Sequence, residues 1–287
     1  LHERALGSLK TNVTALARIQ EQVASTKRLV RPSDDPADVR SAVKARDGLA
    51  EMEQFLRNIT TAQRSVDASD TALAGAGEAI QRARELAVQG ANGTLSASDR
   101  QTMALEVEQL ARQLVTHAGA RAGDQYLFSG FKTNSAPYVE APPGSAAVSA
   151  YGGDAGVVVA RIAPGTRMTL NVTADTIFRP ALDALAQMHA ELVAGTPVSA
   201  GTIALLDTGQ SALLAGRAQI GARANRLEQT RNTLEDNILA GRRLLSDLED
   251  VDLIEAITEL NQRQAVYQAA LEVNARIIQP TLLDHLR

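Results

Sequence analysis

The sequence predicts a mainly α protein, a long antiparallel helical bundle or coiled coil with a small β-rich insert between its two helical halves. Two observations predict this fold class. Apolar residues recur every three or four positions over most of the 287 residues, the spacing that lines one face of a helix. Between residues 119 and 178 this rhythm is lost, and glycine, proline and short β-branched runs become frequent.

The composition excludes several classes of function. The chain has no cysteine, so it has no disulfides, thiolate zinc sites or cysteine nucleophile. Its net charge is −4, with both signs interleaved, which argues against a nucleic-acid partner. No apolar run approaches the ~20 residues that span a bilayer, and nothing at the start resembles a cleavable signal peptide. The chain has four histidines and no phosphate-binding motif. We therefore expect that the protein is not an enzyme and that it has no cofactor, metal site or membrane partner.

The first predicted element is a helix with a narrow apolar stripe near the start of the chain. Its spacing of three and four residues is interrupted by the polar Gln20 and stops at Lys27. The residues that form the stripe are Leu6, Leu9, Val13, Leu16 and Val23.

A helix-start motif follows this break. It comprises Pro32, Ser33, Asp34, Asp35 and Pro36. Asp35 is placed to cap the helix and Pro36 to occupy its first position. The acidic residues also suggest a divalent cation, but a calcium loop needs more oxygen ligands at a stricter spacing. We therefore interpret the motif as a cap of a long helix that runs to Gly90.

A turn and a second helix follow. Gly90 to Gly93 predict the turn, and Ser96 with Asp99 resembles a capping box. The apolar positions of this helix lead to His117, which we interpret as a packing residue because no second histidine or cysteine lies at ligand spacing. Residues 119–178 form the insert, with strands expected near 157–159 and 168–172 and turns between them.

The helical pattern returns at Pro180, and a long helix begins near Thr202. An apolar residue at every seventh position gives it one ridge: Leu206, Leu213, Ile220, Leu227 and Leu234. After Leu248 the spacing shifts by one residue, which turns the stripe by about 100° on a helix. The new stripe comprises Leu253, Ile257, Leu260, Tyr267, Leu271 and Ile278.

These elements predict three parts. They are terminal coiled-coil assembly helices at 1–28 and 253–287, a helical bundle at 29–118 and 179–252, and a β-rich surface insert at 119–178. Each terminal stripe is wide enough for one partner helix, which favours helices that pair during assembly. The alternative is that both ends pack on the bundle as ordinary core helices, since bundle helices share this spacing.

Three segments resemble the flagellin superfamily: residues 27–37 (KRLVRPSDDPA), 91–96 (ANGTLS) and 124–133 (DQYLFSGFKT). The first differs from the usual segment of filament flagellins, so the chain is more similar to the hook–filament junction branch. The resemblance implies a structural, extracellular subunit of the bacterial flagellum, exported without a cleavable signal peptide. It also implies that the stripe at Leu6 to Val23 pairs with the one at Leu253 to Ile278.

The partners implied by the resemblance are neighbouring subunits, a second junction protein, flagellin and an export chaperone that covers residues 253–278. Two other interpretations remain open. A filament flagellin shares the terminal helices, and a scaffold or signalling rod also uses long heptad helices.

Overall fold

The computed structural model describes residues 2–140 and 142–278, and the side chains of 7–140 and 142–273. It confirms the mainly α fold with a small β-rich insert. The helices are α1 (His2–Ser25), α2 (Pro36–Gly90), α3 (Ala97–Ala118), α4 (Ala174–Ile177), α5 (Arg179–Val193), α6 (Ala200–Glu249) and α7 (Leu253–Ile278). The strands are β1 (Arg121–Ala122), β2 (Gln125–Tyr126), β3 (Val159–Ala163) and β4 (Thr166–Thr169).

The chain divides into two compact units. The terminal unit contains the residues up to Met52 and those from Asp236 onward, and the central unit contains Glu53–Glu235. Both boundaries fall inside the long helices α2 and α6. The division into assembly helices, bundle and insert remains a prediction.

In the central unit, α2, α3, α5 and α6 surround an aliphatic core. All five members of the predicted α6 ridge are buried, because a residue at every seventh position returns to the same helix face. α3 packs against α5. Ion pairs join α2 to α6, with Arg84 2.6 Å from Asp207 and Arg217 3.0 Å from Asp70. The Ser96–Asp99 capping box begins α3, with both of its reciprocal hydrogen bonds present.

The insert consists of two separate antiparallel hairpins, β1–β2 and β3–β4. The second strand of the β3–β4 hairpin ends earlier than the sequence predicts, at Thr169 rather than Val172. The Asn171 side chain accounts for this end. Its Oδ1 accepts from the Val158 amide at 2.8 Å and its Nδ2 donates to the Gly156 carbonyl at 2.9 Å, so a side chain replaces the strand ladder.

The segment Tyr126 to Gly130 anchors the insert. Phe128 is fully buried and meets Phe178 edge to face at 5.1 Å between ring centroids. Asp154 accepts from the amides of Phe131 and Gly156 at 2.7 and 2.8 Å. These amides lower the pKa of the Asp154 carboxyl, the Phe131 bond most strongly. Gly130 has a φ of 69°, and a β-carbon there would overlap Asp154.

Between α6 and α7 the helix is broken. The sequence suggests a one-residue shift of the stripe; the structure ends α6 at Glu249 and begins α7 at Leu253. The Asp252 carboxylate accepts from the amides of Ile254 and Glu255 at 2.9 and 3.3 Å, which is N-cap chemistry. Asp252 is thus the cap of a new helix, and the shift of the stripe falls at a break between two helices.

Candidate assembly surface

The terminal helices α1 and α7 pack against each other in the terminal unit. Ile19 on α1 is 5% exposed and Ala256 on α7 is 6% exposed, and both lie on the facing sides. Leu260, four residues after Ala256, and Tyr267, seven residues after Leu260, lie on the same side of α7. The pair therefore has a thin apolar contact along one face of each helix.

The predicted interface residues fall into three groups. Leu9, Leu16, Val23, Leu260 and Tyr267 are half-buried. Val13, Leu253, Ile257 and Leu271 are exposed. The side chains of Leu6 and Ile278 lie outside the described residues. The predicted α7 stripe is thus only partly covered.

Helix α7 carries further exposed apolar side chains that the stripe analysis missed. Ile254 is 82% exposed, and Val266 and Val273 are also exposed. At about 100° per residue, Leu253 and Leu271 lie within about 20° of Leu260, whereas Ile254 and Ile257 share one flank of that side. Val266 and Val273 are seven residues apart and share the other flank of the side that carries Leu260. Their spacing of seven residues was a signal for a second stripe.

Apolar side chains on both flanks leave α7 with more apolar surface than α1 covers. Contiguous exposed apolar surface is typical of a contact with another protein. The arrangement provides two further sides on which helices of other chains can pack. Its chemistry is hydrophobic association rather than catalysis.

The chain segment after α1 and the one before α7 form a short antiparallel contact, which we call the clasp (residues 26–28 and 248–251). The amide of Arg28 donates to the Glu249 carbonyl at 2.6 Å, and the amide of Val251 donates to the Thr26 carbonyl at 3.1 Å. Thr26 has a φ of 57°, which ends α1 in the left-handed region.

Charged side chains reinforce the clasp. Lys27 Nζ lies 2.5 Å from Asp250 and 3.6 Å from Glu249, and Arg46 approaches the buried Glu249 at 2.8 Å. The Asp250 carboxylate raises the pKa of Lys27, and the Lys27 ammonium lowers that of Asp250. The sequence analysis missed this contact, although two basic residues at one break and two acidic residues at the other were its signal.

The helix-start motif lies beside the clasp. Asp34 accepts from the amides of Arg31 and Val30 at 2.8 and 3.2 Å, and Arg18 of α1 lies 3.1 Å away. These groups, led by the Arg31 amide, lower the pKa of Asp34. The segment that leads into α2 is thereby tied to α1.

Asp35 is the cap of α2. Its Oδ1 accepts from the amides of Ala37 and Asp38 at 3.0 and 3.1 Å, and these bonds lower its pKa, the Asp38 amide most strongly. Pro36 is the first helical residue. Pro32 and Ser33 are exposed.

Over the described ranges, no three histidine or carboxylate side chains come together as metal ligands. Within the same ranges, no helix combines the length and the hydropathy needed to cross a membrane.

Comparison with known proteins identifies the class. The model of the bacterial flagellin N-terminal helical region matches residues 2–133, and that of the bacterial flagellin C-terminal helical region matches residues 203–286. The two matches leave the region between them uncovered. The chain belongs to the flagellin family.

Within that family the chain is similar to flagellar hook-associated protein 3. It is 28% identical to the Escherichia coli (strain K12) protein over 87% of this chain and 86% of the relative. It is 27% identical to the Salmonella typhimurium protein over 94% of this chain and 92% of the relative. A solved flagellar hook-associated protein from Vibrio parahaemolyticus shares the fold, with a TM-score of 0.67, 24% identity and coverage of 76% of this chain and 100% of that structure.

Proposed function

We propose that the chain is a structural subunit of the bacterial flagellum that joins the hook to the filament and assembles through α1 and α7. The observation that carries the proposal is the apolar surface on both flanks of the α1-facing side of α7. In a chain similar to flagellar hook-associated protein 3 over most of its length, that surface fits packing against neighbouring subunits.

The proposed partners are neighbouring copies, the other hook-associated junction protein, flagellin and a flagellar export chaperone. The first three offer helices of the same kind, which match long apolar flanks better than a globular surface does. A chaperone that covers α7 would keep these flanks from associating before export. The proposed location is the extracellular flagellum.

We propose a structural rather than an enzymatic role. Two features support it: the family's relatives are flagellar structural proteins, and the candidate surface offers aliphatic side chains without a nucleophile and base pair beside them.

The test uses a bacterium that lacks its own junction subunit, complemented with this chain, and counts filaments attached to hooks. The Ile254→Glu variant introduces a charge on a flank of α7, at a side chain that is 82% exposed. We expect attached filaments to be lost while the thermal melting of the purified protein stays unchanged. The matched control is Leu105→Glu on α3 of the central unit, where the side chain is 62% exposed.

Normal filament attachment with both Ile254→Glu and Val266→Glu would exclude the α7 flanks as the assembly surface. Equal loss with Leu105→Glu would show that any surface charge suffices and would also contradict the proposal. If the wild-type chain formed long filaments without flagellin, it would be a filament subunit instead.

A further inference from the structure

The turn between α2 and α3 contains an Asn–Gly step, Asn92–Gly93, that the assembly function does not use. Both residues are exposed. No heavy atom lies within 4 Å of the position that a β-carbon on Gly93 would take. The site is therefore open to water and sterically free.

The hydrogen bonds of this turn leave one amide unengaged. The amide of Asn92 donates to the Gln89 carbonyl at 3.1 Å, and that of Leu95 donates to the Asn92 carbonyl at 3.5 Å. Among the bonds of the described residues, the Gly93 amide has no acceptor. This amide belongs to the residue directly after Asn92, so its nitrogen is the backbone nitrogen that can attack the Asn92 side chain.

The side-chain carbonyl of Asn92 is polarised. Its Oδ1 accepts from the Thr94 amide at 3.1 Å and from the Thr94 hydroxyl at 2.9 Å. Two donors on one carbonyl oxygen make its carbon more electrophilic and stabilise negative charge that develops on that oxygen. A free amide nitrogen and an activated amide carbon thus occupy adjacent residues.

We infer that Asn92 is a site of spontaneous deamidation driven by the backbone of the turn. The Gly93 nitrogen loses its proton and attacks Asn92 Cγ, forming the N–Cγ bond of a cyclic imide. The Cγ–Nδ2 bond breaks, and the nitrogen leaves as ammonia with the released proton. Water then opens the imide, so that the net change is one amide and one water converted into one carboxylic acid and one ammonia.

The two modes of ring opening change the turn differently. Opening at Cγ gives aspartate, which keeps the acceptor oxygen for Thr94. Opening at the backbone carbonyl carbon gives isoaspartate, in which the chain runs through Cβ and Cγ and the former carbonyl carbon becomes the carboxylate. Either product adds a negative charge next to the C-terminal end of α2, where the helix dipole disfavours it.

Asn134 provides an internal control, because it is also exposed and is followed by a small residue. The amide of Ser135 donates to the Lys132 carbonyl at 2.9 Å, so the nitrogen that would attack is engaged. The Ser135 β-carbon also hinders the approach, which Gly93 does not.

The experiment incubates the purified full chain in mildly alkaline and mildly acidic buffer and follows peptides by mass spectrometry. We expect the mass gain of acid formation to accumulate in the peptide with Asn92, faster in alkali, and not in the peptide with Asn134. Gly93→Ala should suppress it; no positive φ is required there, so the variant should keep the turn. Thr94→Val removes one donor to Oδ1 and should slow it.

The same incubation with the chain unfolded in denaturant separates the turn from the bare sequence. We expect the folded chain to react at least as fast as the unfolded one. Slower reaction in the folded chain, or equal mass gain at Asn92 and Asn134, would overturn the inference.

Discussion

Lys27 and Asp250 are 223 residues apart in sequence, yet their side chains meet at 2.5 Å where α1 and α6 end. Their backbones form an isolated antiparallel bridge at the same place. The clasp fixes the two points from which the terminal helices extend. Because α1 ends and α7 begins at the clasp, their thin apolar contact does not have to set their register alone.

The acidic residues of the clasp should contribute unequally to stability. Glu249 is 5% exposed with Arg46 and Lys27 beside it, so Glu249→Gln should lower the free energy of unfolding by about 1–3 kcal/mol. Asp250 is 43% exposed, so Asp250→Asn should cost less than about 1 kcal/mol and lose its effect at high salt. Denaturant unfolding at two salt concentrations measures both. Equal costs would contradict the burial argument.

Two glycines of α6 should respond in opposite directions to alanine. At Gly209 a β-carbon would lie 2.6 Å from the Ala181 Cα of α5, so Gly209→Ala must separate two helix backbones and should cost roughly 1–3 kcal/mol. At Gly221 nothing lies within 4 Å, so Gly221→Ala should stabilise by about 0.5–1 kcal/mol through helix propensity. Thermal melting compares them. Stabilisation by Gly209→Ala would refute the close packing of α5 and α6.

His117 should make the central unit less stable in mild acid. Its ring packs at Gly75 of α2, and burial lowers its pKa below the ordinary 6.5, opposed by the Glu78 carboxylate. The unfolded chain then binds the proton more readily, so this contribution is complete above pH 6.5 and is lost as the pH falls through the folded pKa. His117→Gln should flatten the stability profile over that range. An unchanged slope would contradict the burial of the ring.

The start of α2 should weaken at a lower pH. Asp34 and Asp35 have pKa values below the ordinary 3.8, so their contributions are complete above pH 3.8 and are lost as the pH falls through the folded values. Asp35→Ala should lower the melting temperature at neutral pH, whereas Asp35→Asn should retain the cap and remove part of the acid sensitivity. Melting curves from neutral pH down to acid would measure this. Identical acid profiles for Asp35→Asn and the wild type would refute the role of its ionisation.

Amide exchange should be faster in the terminal helices than in the central part of α2. Among the described side chains of α1 and α7, Ile19 and Ala256 are the only ones in the buried core, whereas α2 buries a residue at nearly every turn from Phe55 to Leu86. Hydrogen exchange of the purified monomer, followed by mass spectrometry, measures this. Strong protection of both terminal helices would mean that the monomer already covers the surfaces assigned to assembly.

The seven-residue spacing of apolar residues was sufficient to predict the long helices and the ridges that they bury. Leu206 to Leu234 are predicted and observed as one core stripe, because burial along a helix depends on local periodicity. Phe55 and Ile162 are buried and were missed. Phe55 begins a spacing of four and three residues along α2, through Ile59, Ala62 and Val66, whose alanines made the stripe hard to recognise. Ile162 lies on β3, so its burial depends on the path of the insert.

For the candidate surface, the sequence alone determined which helices carry it, since apolar spacing near both ends marks α1 and α7. It also determined the chemistry at the start of α2, where Asp35 caps its own helix through local hydrogen bonds. Only the tertiary structure decided that Leu260 is half-buried while Leu271, on the same side of α7, is 42% exposed. It also decided that Lys27 meets Asp250. The reason is physical: periodicity and capping act over a few residues, whereas the choice of which apolar flank is covered depends on contacts between segments more than two hundred residues apart.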